Sequence, residues 1–171
     1  YGRDAVCDFC ARNIGLTDGL YHFDLFFKDR FWGNLRTGIP GLHNVDNALA
    51  AAAACLAAGI DPENIIRLLP EFTGIDRRLM LKAQIKGVTI LDDYAHHPTE
   101  IRASLQAIRD RYQPARLWCV FQPHQYSRTR FLLDDFAESF KLAEYTIVPE
   151  IYFVRDTAES RQTVNAQMLV E

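Results

Sequence analysis

The sequence predicts an α/β chain in two parts: antiparallel strands plus helices over residues 1–72, then a mostly parallel sheet with intervening helices over residues 73–171. Three observations predict it. Apolar and polar residues alternate with a period of two early in the chain, helical periods take over after residue 43, and strands then alternate with helices from residue 79. The stretch "PEFTGIDRR", residues 70–78, separates the two patterns and holds the boundary.

The elements follow in order. The opening "YGRDAVCDFC" has strand character, and in "YHFDLFFKD" Phe23, Leu25 and Phe27 alternate with His22, Asp24 and Lys28 before a turn near Asp29. "NVDNALAAAAACLAAG" is helical by propensity, with Gly59 as its C-terminal stop. Asp61 as N-cap and Pro62 in the first position open a short helix that Pro70 closes. In the second part, Val88, Ile90 and Leu91 form a strand ending near Asp92. Pro98 suits a first helical position, His97 an N-cap and Glu100 its capping-box partner, and Ile101, Leu105, Ile108 and Tyr112 recur on one helical face. "ARLWCVFQP" reads as a buried strand, "FLLDDFAESFKLA" as a helix with Leu132, Phe136 and Phe140 in register, and "YTIVPEIY" as another strand. So few strands follow residue 73 that the second sheet is expected to be cut short, in a fragment of a longer protein.

Composition narrows the partners. A formal charge of -3, a pI near 6.0 and the lack of a basic run with interleaved aromatics argue against nucleic acid. The most apolar run, "ALAAAAACLAAGI", is too short and too rich in alanine to span a bilayer, and the chain opens on no basic leader, so no membrane partner is expected. Cys7, Cys10, Cys55 and Cys119 are too scattered for a disulfide framework and fit a reducing cytoplasm. Cys7 and Cys10 form a C-x-x-C, but within a strand they would face opposite sides.

Two loops concentrate polar groups: "ILDDYAHHPTEI", residues 90–101, and "QPHQYSRTR", residues 122–130. Each leaves the carboxyl end of a strand and enters a helix, where ligands bind in open α/β sheets and free N–H groups favour anions. On one sheet edge they would bring His96 or His97 near His124 and Arg128 across a single crevice. Arg128 offers a planar fork for carboxylate or phosphate, Asp93 could accept from a ribose hydroxyl, and a histidine can hydrogen-bond developing charge. Bland roles compete: capping for His97, packing for Tyr94, solvation for Arg130. Asp92, Asp93, His96, His97 and His124 are also the ligand types of a two-metal hydrolase, but adjacent residues at a strand end diverge, and no metal ligand is assigned. In the first part, "GLHNVDNALAA" sets His43, Asn44 and Asn47 within one turn at a helix start. An asparagine amide carries the donor and acceptor that an adenine edge requires, while capping by Asn44 is the structural alternative.

"GLHNVDNALAA", "FTGIDRR", "DDYAHHPTEI" and "FQPHQYSRT", in this order and at these separations, resemble the Mur ligases of peptidoglycan synthesis over nearly the whole chain. The resemblance implies that residues 1–72 end a central ATP-binding domain and that residues 73–171 form a truncated Rossmann-like, amino-acid-binding C-terminal domain. It implies an ADP-forming amide ligase acting through an acyl phosphate, with ATP, UDP-N-acetylmuramate and L-alanine as small-molecule substrates and Mg2+ held mostly outside this chain. By the same resemblance His43, Asn44 and Asn47 contact adenine, and Arg78 and Asp93 reach the phosphates and ribose. The same resemblance implies that Tyr94 and Tyr126 contact substrate and that His96, His124 and Arg128 are catalytic. Two departures stand out: no G-x-x-x-x-G-K-[ST] loop occurs, so the chain alone is expected to be inactive, and Gln125 occupies a position where some members carry arginine. A metal-dependent phosphoesterase using the Asp/His cluster and a non-catalytic nucleotide-binding domain are the alternatives. The sequence specifies no oligomeric state.

Overall fold

A computed structural model describes residues 1–4, 6–157 and 159–170. Packing divides them into two compact units, Tyr1–Asp93 with Asp110–Gln113, and Tyr94–Arg109 with the chain from Pro114 onward.

The first unit is built on three antiparallel strands, β1 (Phe9–Thr17), β2 (Leu20–Phe27) and β3 (Arg30–Arg36), in the order β1-β2-β3. Two-residue turns join them. Asp18 and Gly19 (φ 51 and 70) and Lys28 and Asp29 (φ 48 and 62) all take the left-handed conformation that matches the twist of a tight hairpin. On β2 the expected alternation places Phe23 and Leu25 in the core, 2% and 0% exposed. The strand character expected from residue 1 begins only at Phe9; Cys7 precedes β1, Cys10 lies within it, and all four cysteines are free.

Two helices cover this sheet. On α1 (His43–Ala57), Val45, Leu49 and Ala52 are fully buried at spacings of four and three, one face of a helix. Gly59 (φ 82) ends it as expected: its N–H bonds Leu56 O and that of Ile60 bonds Cys55 O, the paired closure of a left-handed C-terminus. Asp61 caps α2 (Pro62–Leu68) by accepting from Glu63 N at 2.8 Å, and Ile65 enters the core with Phe9, Leu35 and Leu49. β4 (Met80–Ile85) and β5 (Val88–Asp92) then pair with each other, antiparallel, through a Lys86–Gly87 turn. The first two strands after the sequence boundary thus close as a hairpin, and packing keeps them in the first unit, up to Asp93.

The second unit contains most of α3 (Pro98–Tyr112), then β6 (Trp118–Val120), α4 (Tyr126–Phe131), α5 (Leu133–Ser139) and β7 (Tyr145–Ile147). β6 and β7 are parallel, as the alternation of strand and helix predicts. Ile101 and Leu105 of α3 meet Phe121, Phe136 and Phe140 in the main cluster, and Tyr126, Ile151, Val164 and Ala166 form a smaller one. Two expectations are corrected here. The run "ARLWCVFQP" is not buried throughout, because Trp118 and Val120 face outward, 57% and 68% exposed, while Leu117 and Phe121 face the core. The helix expected over 131–143 is broken at Leu132 (φ -112), so α4 and α5 are separate and Arg128 lies on α4.

Arg109 secures the entry to both strands. Its Nε and Nη2 donate to Leu142 O at 3.0 and 2.7 Å, its Nη1 donates to Pro114 O at 3.1 Å, and it pairs with Glu144. Glu144 in turn accepts from Leu117 N at 2.6 Å; that bond first, then Arg109, holds its carboxyl below the usual range. No helix among the described residues is long and apolar enough to cross a membrane.

Leu25 has no exposed surface, so Leu25→Ala should remove about 2–5 kcal/mol from the unfolding free energy of the first unit. Trp32, which packs edge-on against Phe9 and Phe27, reports that transition in urea when Trp118 is replaced by Phe. A loss under about 1 kcal/mol would mean that this core does not govern the unit's stability.

Candidate functional site

The start of α1 satisfies its own backbone. Gly41 (φ 104) turns the chain into the helix, Asn44 N donates to Gly41 O and Val45 N to Leu42 O, both at 3.0 Å, and no side chain caps the end. Asn44 is therefore not a cap. Its Nδ2 donates to Pro40 O at 2.7 Å and lies 3.2 Å from His43 Nε2, and its Oδ1 accepts from Asn47 Nδ2 at 2.9 Å. With an amide N–H as neighbour, His43 Nε2 is the acceptor and the ring proton sits on Nδ1. Asn47 is exposed and makes that one side-chain bond among the described residues, which leaves its carbonyl oxygen and second N–H for a ligand. Asn44 orients; Asn47 presents.

Burial lowers the pKa of His43; Asp93 and Asp46 pull it up, and Arg78 pushes it down. That influence places Arg78 and Asp93 in the electrostatic neighbourhood of the helix start. Asp93 also accepts from Leu79 N at 3.0 Å, tying the end of β5 to the start of β4. His43, Asn44, Asn47, Arg78 and Asp93 thus all belong to the first unit. Asn44 and Asn47 also line a largely apolar cavity of about 330 Å³, with Ala48, Ala51, Ile65 and Phe72.

In the second unit the first polar loop is organised by the start of α3. His97 caps the helix by accepting from Thr99 N at 3.3 Å through Nδ1. Glu100 reaches back as expected, but to the N–H of His96 at 2.9 Å, one residue earlier than a simple capping box. The same carboxylate lies 3.3 Å from His96 Nδ1, and Tyr94 O lies 3.0 Å from it. Two acceptors facing Nδ1 assign the proton there, so neutral His96 has its lone pair on Nε2. Tyr94 is exposed, its ring 5.1 Å from that of His96, while Ala95 between them packs on the Phe121 cluster.

The second loop is held by Tyr152, at the end of the run "YTIVPEIY" of which only Tyr145–Ile147 forms the expected strand, and by Asp156 beyond it, for which the sequence suggested no role. His124 forms a parallel bridge with Tyr152, whose ring is 5.2 Å away. Tyr152 N donates to Pro123 O at 2.8 Å and Gln125 N to Tyr152 O at 3.2 Å. Asp156 accepts from Tyr126 N at 2.6 Å, Ser127 N at 3.2 Å and Ser127 Oγ at 2.7 Å. Burial raises its pKa, but those hydrogen bonds outweigh it and hold the carboxyl low. Tyr126, expected at substrate, is 5% exposed and packs with Ile151 and Val164, so it fastens α4 to the core. Arg128 is half-buried; its carbonyl accepts from Leu132 N at 3.0 Å, while its guanidinium makes no hydrogen bond or ion pair with any described residue. His124 and Arg130 are exposed. Nothing local marked Tyr152 or Asp156, because their partners lie about thirty residues away in sequence.

The two-metal reading needs convergent ligands. Instead His97 is occupied by capping, Asp93 accepts from a backbone N–H, and His96 faces a carbonyl and Glu100. Among the described residues no group of three or more His, Cys, Asp or Glu side chains is placed to hold a metal ion. Burial pushes the Cys119 thiol up to about 11, which disfavours its thiolate.

Comparison with known proteins adds a family. The model for the Mur ligase glutamate ligase domain matches residues 77–171. The UDP-N-acetylmuramate–L-alanine ligase of Alkaliphilus metalliredigens is 47% identical over 171 residues, covering 99% of this chain and 36% of that protein. The enzyme of the same name from Acetivibrio thermocellus is 46% identical, covering 81% and 30%. Among solved structures, the UDP-N-acetylmuramate-alanine ligase of Thermotoga maritima superposes with a TM-score of 0.71 at 25% identity, over 91% of this chain and 33% of that one. A murein peptide ligase from Psychrobacter arcticus gives 0.61 at 30% identity, over 86% and 31%. The chain spans about a third of the length of these relatives.

The environment of His43 makes a directional test. Its lowered pKa means that the folded protein binds fewer protons than the unfolded chain as the pH falls from about 6.5 toward the lowered value, so stability is lost across that window. NMR titration should find His43 below its ordinary value, with Arg78→Ala raising it and Asp46→Asn lowering it further. His43→Gln should flatten the change in urea midpoint between about pH 7.5 and about pH 5.5. A His43 that titrates above its ordinary value would overturn this description of the site.

Proposed function

Because the chain belongs to the Mur ligase family, we propose that it is the part of an ATP-dependent amide ligase that joins L-alanine to UDP-N-acetylmuramate in peptidoglycan synthesis. Residues 1–72 then end the central ATP-binding domain, and residues 73–171 belong to the C-terminal ligase domain. The observation that carries the reading is Arg128: a half-buried guanidinium with no counter-ion among the described residues, on α4 just after the loop that carries an exposed histidine, His124. Such a group is an anion site in waiting.

The reaction activates the muramoyl carboxylate as an acyl phosphate, which the amine of L-alanine attacks with release of phosphate and formation of the amide. ATP supplies the phosphoryl group. Asn47 reads the adenine edge with an amide oriented by Asn44, neutral His43 lies beside it, and Arg78 and Asp93 reach the phosphates and ribose. In the amide-forming step negative charge gathers on the carbonyl oxygen. Arg128 and His124 hold carboxylate and oxyanion through charge-assisted hydrogen bonds, while His96, through Nε2, takes a proton from the amine. Tyr94, exposed beside His96, contacts the amino acid. Among the described residues no cluster of carboxylates and histidines is placed to hold magnesium, so its ligands fall to residues outside this chain. Free cysteines and an ATP requirement support a cytoplasmic enzyme.

Two outcomes follow. This chain alone carries no G-x-x-x-x-G-K-[ST] loop and should neither hydrolyse ATP nor form the amide; turnover by the purified chain with magnesium and all three substrates would refute that. In the full-length enzyme, Arg128→Ala should lower kcat/KM for L-alanine by about 2–4 kcal/mol, and Arg128→Lys by less, with thermal midpoints close to wild type. Wild-type kcat/KM in Arg128→Ala, or a loss tracked by a large drop in midpoint, would return Arg128 to a packing role.

A further inference from the structure

We infer that Asp156 is a positioning residue for ligation, holding α4 so that Arg128 meets its anion. The inference rests on the catalytic reading of Arg128 above. α4 has six residues, too few to persist as a helix by itself, and Gln125 at its start provides no side-chain cap. Gln125 also has φ 72 and ψ 119, a conformation that a residue with a Cβ adopts only under external restraint. Left to local forces, this loop would relax.

Two restraints come from one short segment. Tyr152 supplies backbone bonds on either side of His124, from its N–H to Pro123 O and from Gln125 N–H to its own carbonyl. Asp156, four residues further, takes the next two N–H groups and the Ser127 hydroxyl with its two carboxylate oxygens, Oδ2 on Tyr126 N and Oδ1 on Ser127. Three donors on one carboxylate fix the helix start in position and direction. From there Thr129 follows: its N–H and hydroxyl both donate to Gln125 O, at 3.1 and 2.9 Å, and it is fully buried. Arg128 sits between Ser127 and Thr129, so its backbone, and with it the base of its side chain, is held by an anchor on each side. The carboxylate itself is occupied by these protein donors, which makes it a support for the site and not a ligand of the substrate.

The test is a double-mutant cycle in the full-length ligase, with kcat and the KM values for ATP and L-alanine measured for Asp156→Ala and Asp156→Asn, each alone and combined with Arg128→Ala. Asp156→Ala should lower kcat about tenfold or more and leave KM for ATP within about twofold. Asp156→Asn keeps one acceptor oxygen and should lose less. In the Arg128→Ala background the cost of Asp156→Ala should shrink to under about twofold, since no guanidinium remains to be misplaced. Equal fold-losses in the two backgrounds, or wild-type kcat in Asp156→Ala, would overturn the positioning role while leaving Arg128 catalytic. Wild-type activity in Arg128→Ala would instead overturn the reading of the loop and the inference with it. Should Asp156→Ala prove insoluble, Asp156→Asn and Ser127→Ala run the same cycle, with the same outcomes deciding it.

Discussion

Every α-helix begins with N–H groups that its own turns cannot satisfy, and the way three helices meet that requirement shapes all the polar chemistry of this chain. α1 closes its first turn with tight backbone bonds to Gly41 and Leu42, which releases the asparagines from capping. α3 uses His97 and Glu100, and in doing so orients His96. α4 has no local solution and borrows Asp156. Each solution decides which side chain is consumed by structure and which is left to meet a ligand.

Burial supplies the scaffold for these ends. In the first unit the fully buried Leu25 and Leu49 hold the sheet against α1, so the loop carrying His43 and Asn44 has a fixed base. In the second, Phe121 and Phe136 anchor the strand that leads into the His124 loop, and Ala95 packs on the same cluster within the other loop. Both polar loops therefore spring from one core. Arg109 and Glu144 fasten the other end of β6, so the strand is secured on both sides of its three residues.

The division of labour between adjacent residues is chemical. Asn44 and Asn47 share a residue type and a helix face, yet one amide is engaged by the Pro40 carbonyl and its neighbour's N–H while the other is exposed. His96 and His97 are consecutive, yet the second accepts a backbone N–H at Nδ1 and the first faces a carbonyl and a carboxylate there, so the two rings carry their protons on opposite nitrogens. Tyr126 and Arg128 lie two apart on α4, one buried and the other only half so.

Period and punctuation alone determined much of this protein: the β2 alternation, the Gly59 stop, the Asp61 cap, the α3 face and the capping by His97 all follow from residues within a turn of one another. The α/β class and the order of motifs that marks the family were legible for the same reason. Interactions at long sequence separation were not. The sequence cannot say that "ARLWCVFQP" exposes one face, because a run of apolar side chains looks the same whether one face or both are covered. It cannot say that β4 and β5 pair with each other and pack with the first unit, because pairing depends on which edge is available in space. Asp156 is the sharpest case: a carboxylate in a loop acquires its meaning only when folding brings it to the unsatisfied end of a helix thirty residues earlier, and that encounter was decided by tertiary packing alone.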